Sequence, residues 1–106
     1  YSGHYERGQM YIERLVFNVR YGKDLVSVLK KGNEMMAKRR LGKGRILTDL
    51  TGKMFTVVWE YRVRNLDQWE KARKNYFADP AFQRWFKETE SLVESGHREF
   101  YTIEAE

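Results

Sequence analysis

The chain of 106 residues contains no cysteine. Disulfides, Cys-ligated zinc, iron–sulfur clusters and thiol nucleophiles are excluded together. The same absence fits a reducing compartment, so a cytoplasmic location is expected. Proline occurs once, at Pro80. Long apolar runs are missing too: none approaches the roughly 20 residues of a membrane span, and no secretory leader is visible. Histidine is scarce. His4 and His97 lie too far apart in the sequence to suggest metal-ligand spacing. Gly42-Lys43-Gly44 lacks the longer glycine pattern of a phosphate loop. The few serines support no Ser-His-Asp arrangement. The expectation is a protein without metal or cofactor.

What is present is the content of one small domain with a packed core. Aromatic residues make up 15% of the chain, enough to supply both a core and a buried interface. Residues 1–9 are polar and aperiodic and read as an arm outside the fold, either flexible native chain or a cloning remnant. The domain is expected over 10–106. The formal net charge of +5 admits an anionic or nucleic-acid partner, or simply a solvated surface. The densest basic run, Lys38-Arg39-Arg40 followed by Lys43 and Arg45, falls at an expected helix end, where cations complement the helix dipole. No aromatic signature of an RNA-binding sheet accompanies it. Nucleic acid is therefore favoured by charge alone.

Periodicity orders the domain. Tyr11 to Tyr21 alternates, with Leu15, Phe17 and Val19 on one face and Arg14, Asn18 and Arg20 on the other. Ile12 and Val16 share the polar face. Gly22 ends this strand and Asp24 can cap a helix whose stripe is Leu25, Val28, Leu29, Met35 and Met36, running to about Arg40. Gly32 weakens that helix by about 1 kcal/mol relative to Ala, which close packing against a strand would explain. Arg45–Leu50 and Met54–Arg64 read as a hairpin around a tight Thr51-Gly52-Lys53 turn. Phe55, Val57, Trp59, Tyr61 and Val63 share one face of its second strand; Thr56, Val58, Glu60, Arg62 and Arg64 share the other. Asn65 caps a helix with Leu66, Trp69, Ala72, Tyr76 and Phe77 in its stripe. Asp79-Pro80 starts a second helical piece. That piece is expected to carry Phe82, Trp85, Phe86, Leu92 and Val93 and to stop at Gly96. A last strand follows over Arg98–Glu104. The order β-α-β-β-α-β predicts an α+β fold: a four-stranded antiparallel sheet with helices on one face. Its other face is partly apolar and needs a cover, most simply a second copy in a symmetric homodimer with sheet-on-sheet packing.

The run Arg45-Ile46-Leu47-Thr48-Asp49-Leu50-Thr51-Gly52, followed by Thr56-Val57-Val58-Trp59-Glu60, resembles the NIPSNAP-like members of the dimeric α/β barrel superfamily. Ala78-Asp79-Pro80-Ala81-Phe82-Gln83-Arg84-Trp85 and Leu92-Val93-Glu94-Ser95-Gly96 extend the resemblance, which covers about Met10 to the C-terminus. It implies a ferredoxin-like protomer, a homodimer, and a cleft between each sheet and its helices. Relatives include cofactor-free monooxygenases, haem-degrading enzymes, lactone isomerases and proteins of unknown activity. The haem-degrading relatives use an Asn on the first strand, a Trp on the third and a ligating His on the second helical region. Asn18 and Trp59 lie in comparable elements. The His has no counterpart between Phe82 and Glu88, where the comparable position reads Phe86 or a neighbour, and axial haem ligation loses its ligand.

Five residues stand out as ligand-binding candidates: Arg14, Asn18, Trp59, Glu60 and Tyr61. Arg14 and Asn18 share one face of the first strand; Glu60 and Arg62 share one face of the third. Together they could hold an acidic or carbonyl ligand, with Glu60 as a base if burial raises its pKa. Alternatively, an Arg–Glu60 pair sets the register of a dimer. Trp59 and Tyr61 could stack on a planar ligand or pack against the helices. His97 could titrate near neutrality or sit on the surface after a helix. Two functions remain open. One is a dimer that binds a small hydrophobic or aromatic ligand in the sheet–helix cleft; any enzymatic activity would be cofactor-free monooxygenase-like or isomerase-like. The other is a structural or interaction module without catalysis. No catalytic residue is assigned.

Overall fold

The computed structural model describes residues 10–38 and 44–106. The arm and most of the basic run at 38–43 lie outside the described residues. The elements are β1 (Tyr11–Val19), α1 (Leu25–Lys38), β2 (Arg45–Thr48), β3 (Thr56–Val63), α2 (Leu66–Phe77), α3 (Pro80–Glu90) and β4 (Val93–Thr102). All four strands join one antiparallel sheet in the order β2-β3-β1-β4. The α+β class and the helix-on-one-face arrangement are as the periodicity predicts.

Side-chain parity sorts the sheet into two faces. In register, Leu15 faces Trp59, Phe17 faces Val57 and Glu13 faces Tyr61. These residues look toward the helices. Arg14 faces Glu60 and Val16 faces Val58, on the opposite, open face. The core therefore gathers Val19, Leu25, Leu29, Met36, Val57, Trp59, Phe82 and Trp85 between the sheet and the helices. α1 lies close on β2 and β3, α3 lies against α1, and α2 lies against α3.

The helix starts follow local chemistry. Asp24 accepts the Ser27 backbone N–H at 3.0 Å, Asn65 that of Gln68 at 3.1 Å, and Asp79 that of Ala81 at 2.8 Å. Pro80 then occupies the first turn of α3. Gly32 is where two tryptophans press on α1: a Cβ there would stand 2.5 Å from Trp85 Cζ2 and 3.2 Å from Trp59 Cη2. The close packing is against indole rings, one from β3 and the nearer one from α3, rather than against a strand backbone.

Several boundaries differ from expectation. α3 ends at Glu90, and Gly96 lies inside β4 instead of stopping a helix. Val93 pairs with Val19 and Gly96 with Phe17, so the available partner strand captures the apolar Leu92-Val93 pair from the helical stripe. A Cβ at Gly96 would stand 3.1 Å from the Val16 carbonyl oxygen; glycine permits the close approach of β1 and β4. The hairpin strands stop at Thr48 and resume at Thr56, so a loop over 49–55 replaces the tight turn. Within it Phe55 adopts φ 60°, a strained value for an aromatic residue. Its carbonyl accepts the Val19 N–H at 2.8 Å. β1 likewise ends at Val19 rather than Tyr21.

Candidate functional site

α2 shapes the site by what it fails to bury. Its stripe of Leu66, Trp69, Ala72, Tyr76 and Phe77 contains no buried residue, and Leu66 and Phe77 are each 45% exposed. The helix is braced at two places. Tyr76 and Phe77 pack on Phe82 of α3, with ring centroids 5.0 and 5.3 Å apart. Trp69 reaches the sheet, 5.2 Å from the Phe100 ring. Between these braces the stripe offers only the methyl of Ala72. The space left beneath it is a cleft of about 940 Å³ lined by β1, β3, β4 and all three helices. That is within the range of small-molecule sites, and its walls are mainly aromatic and aliphatic.

The polar floor of the cleft belongs to a residue that sequence reasoning missed. Glu13 is only 4% exposed. Its carboxylate accepts from the Trp69 indole N–H at 3.1 Å and forms an ion pair with Arg98, whose Nε lies 3.0 Å away. Burial pushes the Glu13 carboxyl above the ordinary carboxylate value, and the Trp69 hydrogen bond with the charges of Arg98 and Arg73 offsets part of that rise. Beside it, burial also pushes the Tyr61 phenol upward, so this group stays neutral. The signal for Glu13 was parity: it shares a face with Leu15, Phe17 and Val19, and an acid on an apolar face is informative.

The five sequence candidates divide between the two sheet faces. Trp59 and Tyr61 line the cleft, their rings 5.3 Å apart and nearly perpendicular. Trp59 is also a core residue. Its indole N–H donates to Asn33 Oδ1 at 2.9 Å, and Asn33 in turn makes two 2.8 Å hydrogen bonds with the Gly44 backbone. This pins the ring and ties α1 to the start of β2. Arg14, Asn18 and Glu60 lie on the open face, away from the cleft, because strand alternation turns even-numbered residues of β1 and β3 outward. Asn18 donates to Ser95 Oγ at 2.9 Å. Asn18 and Trp59 thus stand on opposite faces and cannot line one haem pocket.

Glu60 corrects the expectation of a base with a raised pKa. Its side chain is 3% exposed, but its cover is guanidinium: Arg45 pairs with one oxygen, and Arg14 Nε donates to the other at 2.8 Å. The Arg45 hydrogen bond, followed by that from Arg14, holds the Glu60 carboxyl below the ordinary value despite some desolvation. Such a group is a poor base and a good anchor. The network continues across the open face. Arg14 lies 3.6 Å from Glu99, which His97 and Tyr101 also engage at 3.0 Å. His97 is therefore a strand residue on this face. Ile12, Val16 and Val58 sit among these charges, only partly buried, and Leu47 is 40% exposed.

The chain matches no protein-family model and no curated protein sequence. Solved structures do match. A NIPSNAP family protein of unknown function from Agrobacterium tumefaciens superposes with a TM-score of 0.79 over 92% of this chain and 91% of that one, at 17% identity. A dimeric protein of unknown function with a ferredoxin-like fold from Bacteroides fragilis gives 0.60 over 89% and 96%, at 18% identity. A putative antibiotic biosynthesis monooxygenase from Bacillus cereus gives 0.58 over 93% and 97%, at 19% identity. At such identities the likeness speaks for architecture and leaves activity open. The chain has the ferredoxin-like fold of the NIPSNAP family proteins to which it is structurally similar.

Proposed function

We propose that the chain works as a homodimer, paired through its open sheet face, and that each protomer holds a small hydrophobic or aromatic ligand in the sheet–helix cleft. The observation that carries the ligand reading is the cleft of about 940 Å³ under α2, whose apolar stripe contains no buried residue. Side chains alone could have filled this space; Ala72 in the middle of the stripe keeps it open. Support for the dimer comes from partly apolar, ion-paired residues on the uncovered face, together with a structural neighbour that is dimeric. A cytoplasmic location belongs to the same reading, from the lack of cysteine. No helix among the described residues is long and apolar enough to cross a membrane.

The test is a thermal-shift screen of planar hydrophobic compounds against the natural chain and Ala72→Trp, which fills the cleft from α2. Ligand at about 100 times its Kd stabilises the fold by about 2.7 kcal/mol, a shift of several degrees for a domain of this size. Hits should raise the Tm of the natural chain and lose their effect in A72W. If no compound shifts the natural chain, or if hits act equally on A72W, the interaction-module reading takes its place.

A further inference from the structure

The cleft is charged as well as apolar. Its lining carries Arg73 of α2 and Arg98 of β4 beside Glu13, with Arg64 and Glu90 also on its wall. Arg98 is engaged by Glu13. Arg73 is different. Its guanidinium lies 5.8 Å from the Trp69 ring centroid and 5.5 Å from that of Phe77, and among the described residues no carboxylate stands within ion-pair distance of it. Arg98 approaches the same Trp69 ring, at 5.7 Å. Two guanidiniums therefore flank one indole at the polar end of an aromatic cavity, an arrangement suited to a planar anion.

We propose that the cleft binds a planar aromatic carboxylate, its carboxylate held by Arg73 and Arg98 and its ring against Leu15, Trp59 and Tyr61, with Glu13 taking up a proton as the ligand enters. This rests on the cleft being a ligand site. The proton linkage follows from geometry: Glu13 already engages Arg98, so an entering carboxylate places a second negative charge on the same cation. Like charges at such range cannot both be held cheaply, and one carboxyl protonates. Glu13 is the one poised to do so, being buried and already shifted upward. Once protonated it becomes a donor to the ligand. The charged and titratable groups facing it are Tyr61 from β3, Arg98 from β4, and Arg73 from α2, with the Trp69 N–H beside them. None of these is a second acid able to take the proton instead.

Isothermal titration with naphthoate and neutral naphthol, between about pH 6 and about pH 8, tests this on the natural chain, Arg73→Gln and Glu13→Gln. Naphthoate should bind about tenfold tighter than naphthol at the acid end. Its affinity should fall by up to about tenfold per pH unit above the free-state pKa of Glu13. R73Q, altering an exposed residue, should lose the naphthoate preference and keep naphthol binding. E13Q should bind naphthoate with no such pH slope. If naphthoate binds no better than naphthol in the natural chain, or keeps its pH slope in E13Q, the anion proposal is overturned while the cleft stands. If neither compound binds, both the proposal and the ligand reading of the cleft fail.

Discussion

Glu13 and Glu60 are both almost hidden from solvent, yet their surroundings push them in opposite directions. Glu13 lies under Trp69 in an apolar cleft, and desolvation dominates. Glu60 lies under two arginines, and hydrogen bonding from Arg45 and Arg14 dominates. The consequences for stability have opposite signs. The raised Glu13 takes up a proton on folding between the unfolded value, about 4.3, and its higher folded value. Stability falls as pH rises across that window, and the penalty persists above it. Glu13→Gln should therefore raise the Tm near neutral pH and flatten that part of the pH profile in thermal melts. A lower Tm at neutral pH would mean that the Arg98 pair outweighs desolvation. Glu60 contributes stability in full above about 4.3, and the contribution disappears as pH falls through its lower folded value. Glu60→Gln should cost about 1 kcal/mol in a protomer at neutral pH and nothing in strong acid, measured by urea melts at both conditions. Pairing of Arg14 with Glu60 was legible once the two strands were taken as neighbours. The face that they share was not, since β1 and β3 carry apolar residues on both sides.

At the scale of elements, the three helices differ in how firmly they are held. α1 contributes the fully buried Leu25 and Leu29. α3 contributes Phe82 and Trp85, and the Trp85 N–H bridges to the Val28 carbonyl oxygen of α1 at 2.7 Å. α2 buries nothing. Amide exchange should therefore be fastest in α2 among the helices, and a cleft ligand should slow it selectively. Equal protection of α2 and α3 in the free protein would contradict this. Gly32→Ala sets two effects against each other: about 1 kcal/mol of helix propensity gained, and a methyl forced into two indole rings. Overpacking of that kind typically costs about 1–3 kcal/mol, so denaturant melts should show net destabilisation. Helix starts were readable because Asp24, Asn65 and Asp79 act within a few residues. The end of α3 was not, because Leu92 and Val93 suit either a helical stripe or a strand. The Arg20 N–H bonding to the Leu92 carbonyl oxygen at 2.8 Å and the Val19–Val93 pairing decide it through a distant strand.

For the whole molecule, the proposed dimer assigns the interface to the open sheet face. Val58→Glu would place a charge opposite Val16 at the centre of that face and next to Glu60. If the proposed dimer forms through this face, sedimentation should report dimers for the natural chain and monomers for V58E, with the far-UV circular dichroism unchanged. Dimers persisting in V58E would remove this face from the interface. The lack of cysteine, the order of strands and helices, the two faces of each strand and the helix caps were all determined by the sequence itself. Each depends on residue chemistry or on a period of a few residues. Only the tertiary structure decided which sheet face meets the helices, that Trp59 and Tyr61 part company with Arg14, Asn18 and Glu60, and that Glu13 stands at the floor of a cleft. Those outcomes depend on which surfaces, far apart along the chain, exclude water from one another. A strand that is apolar on both faces carries no local record of that choice.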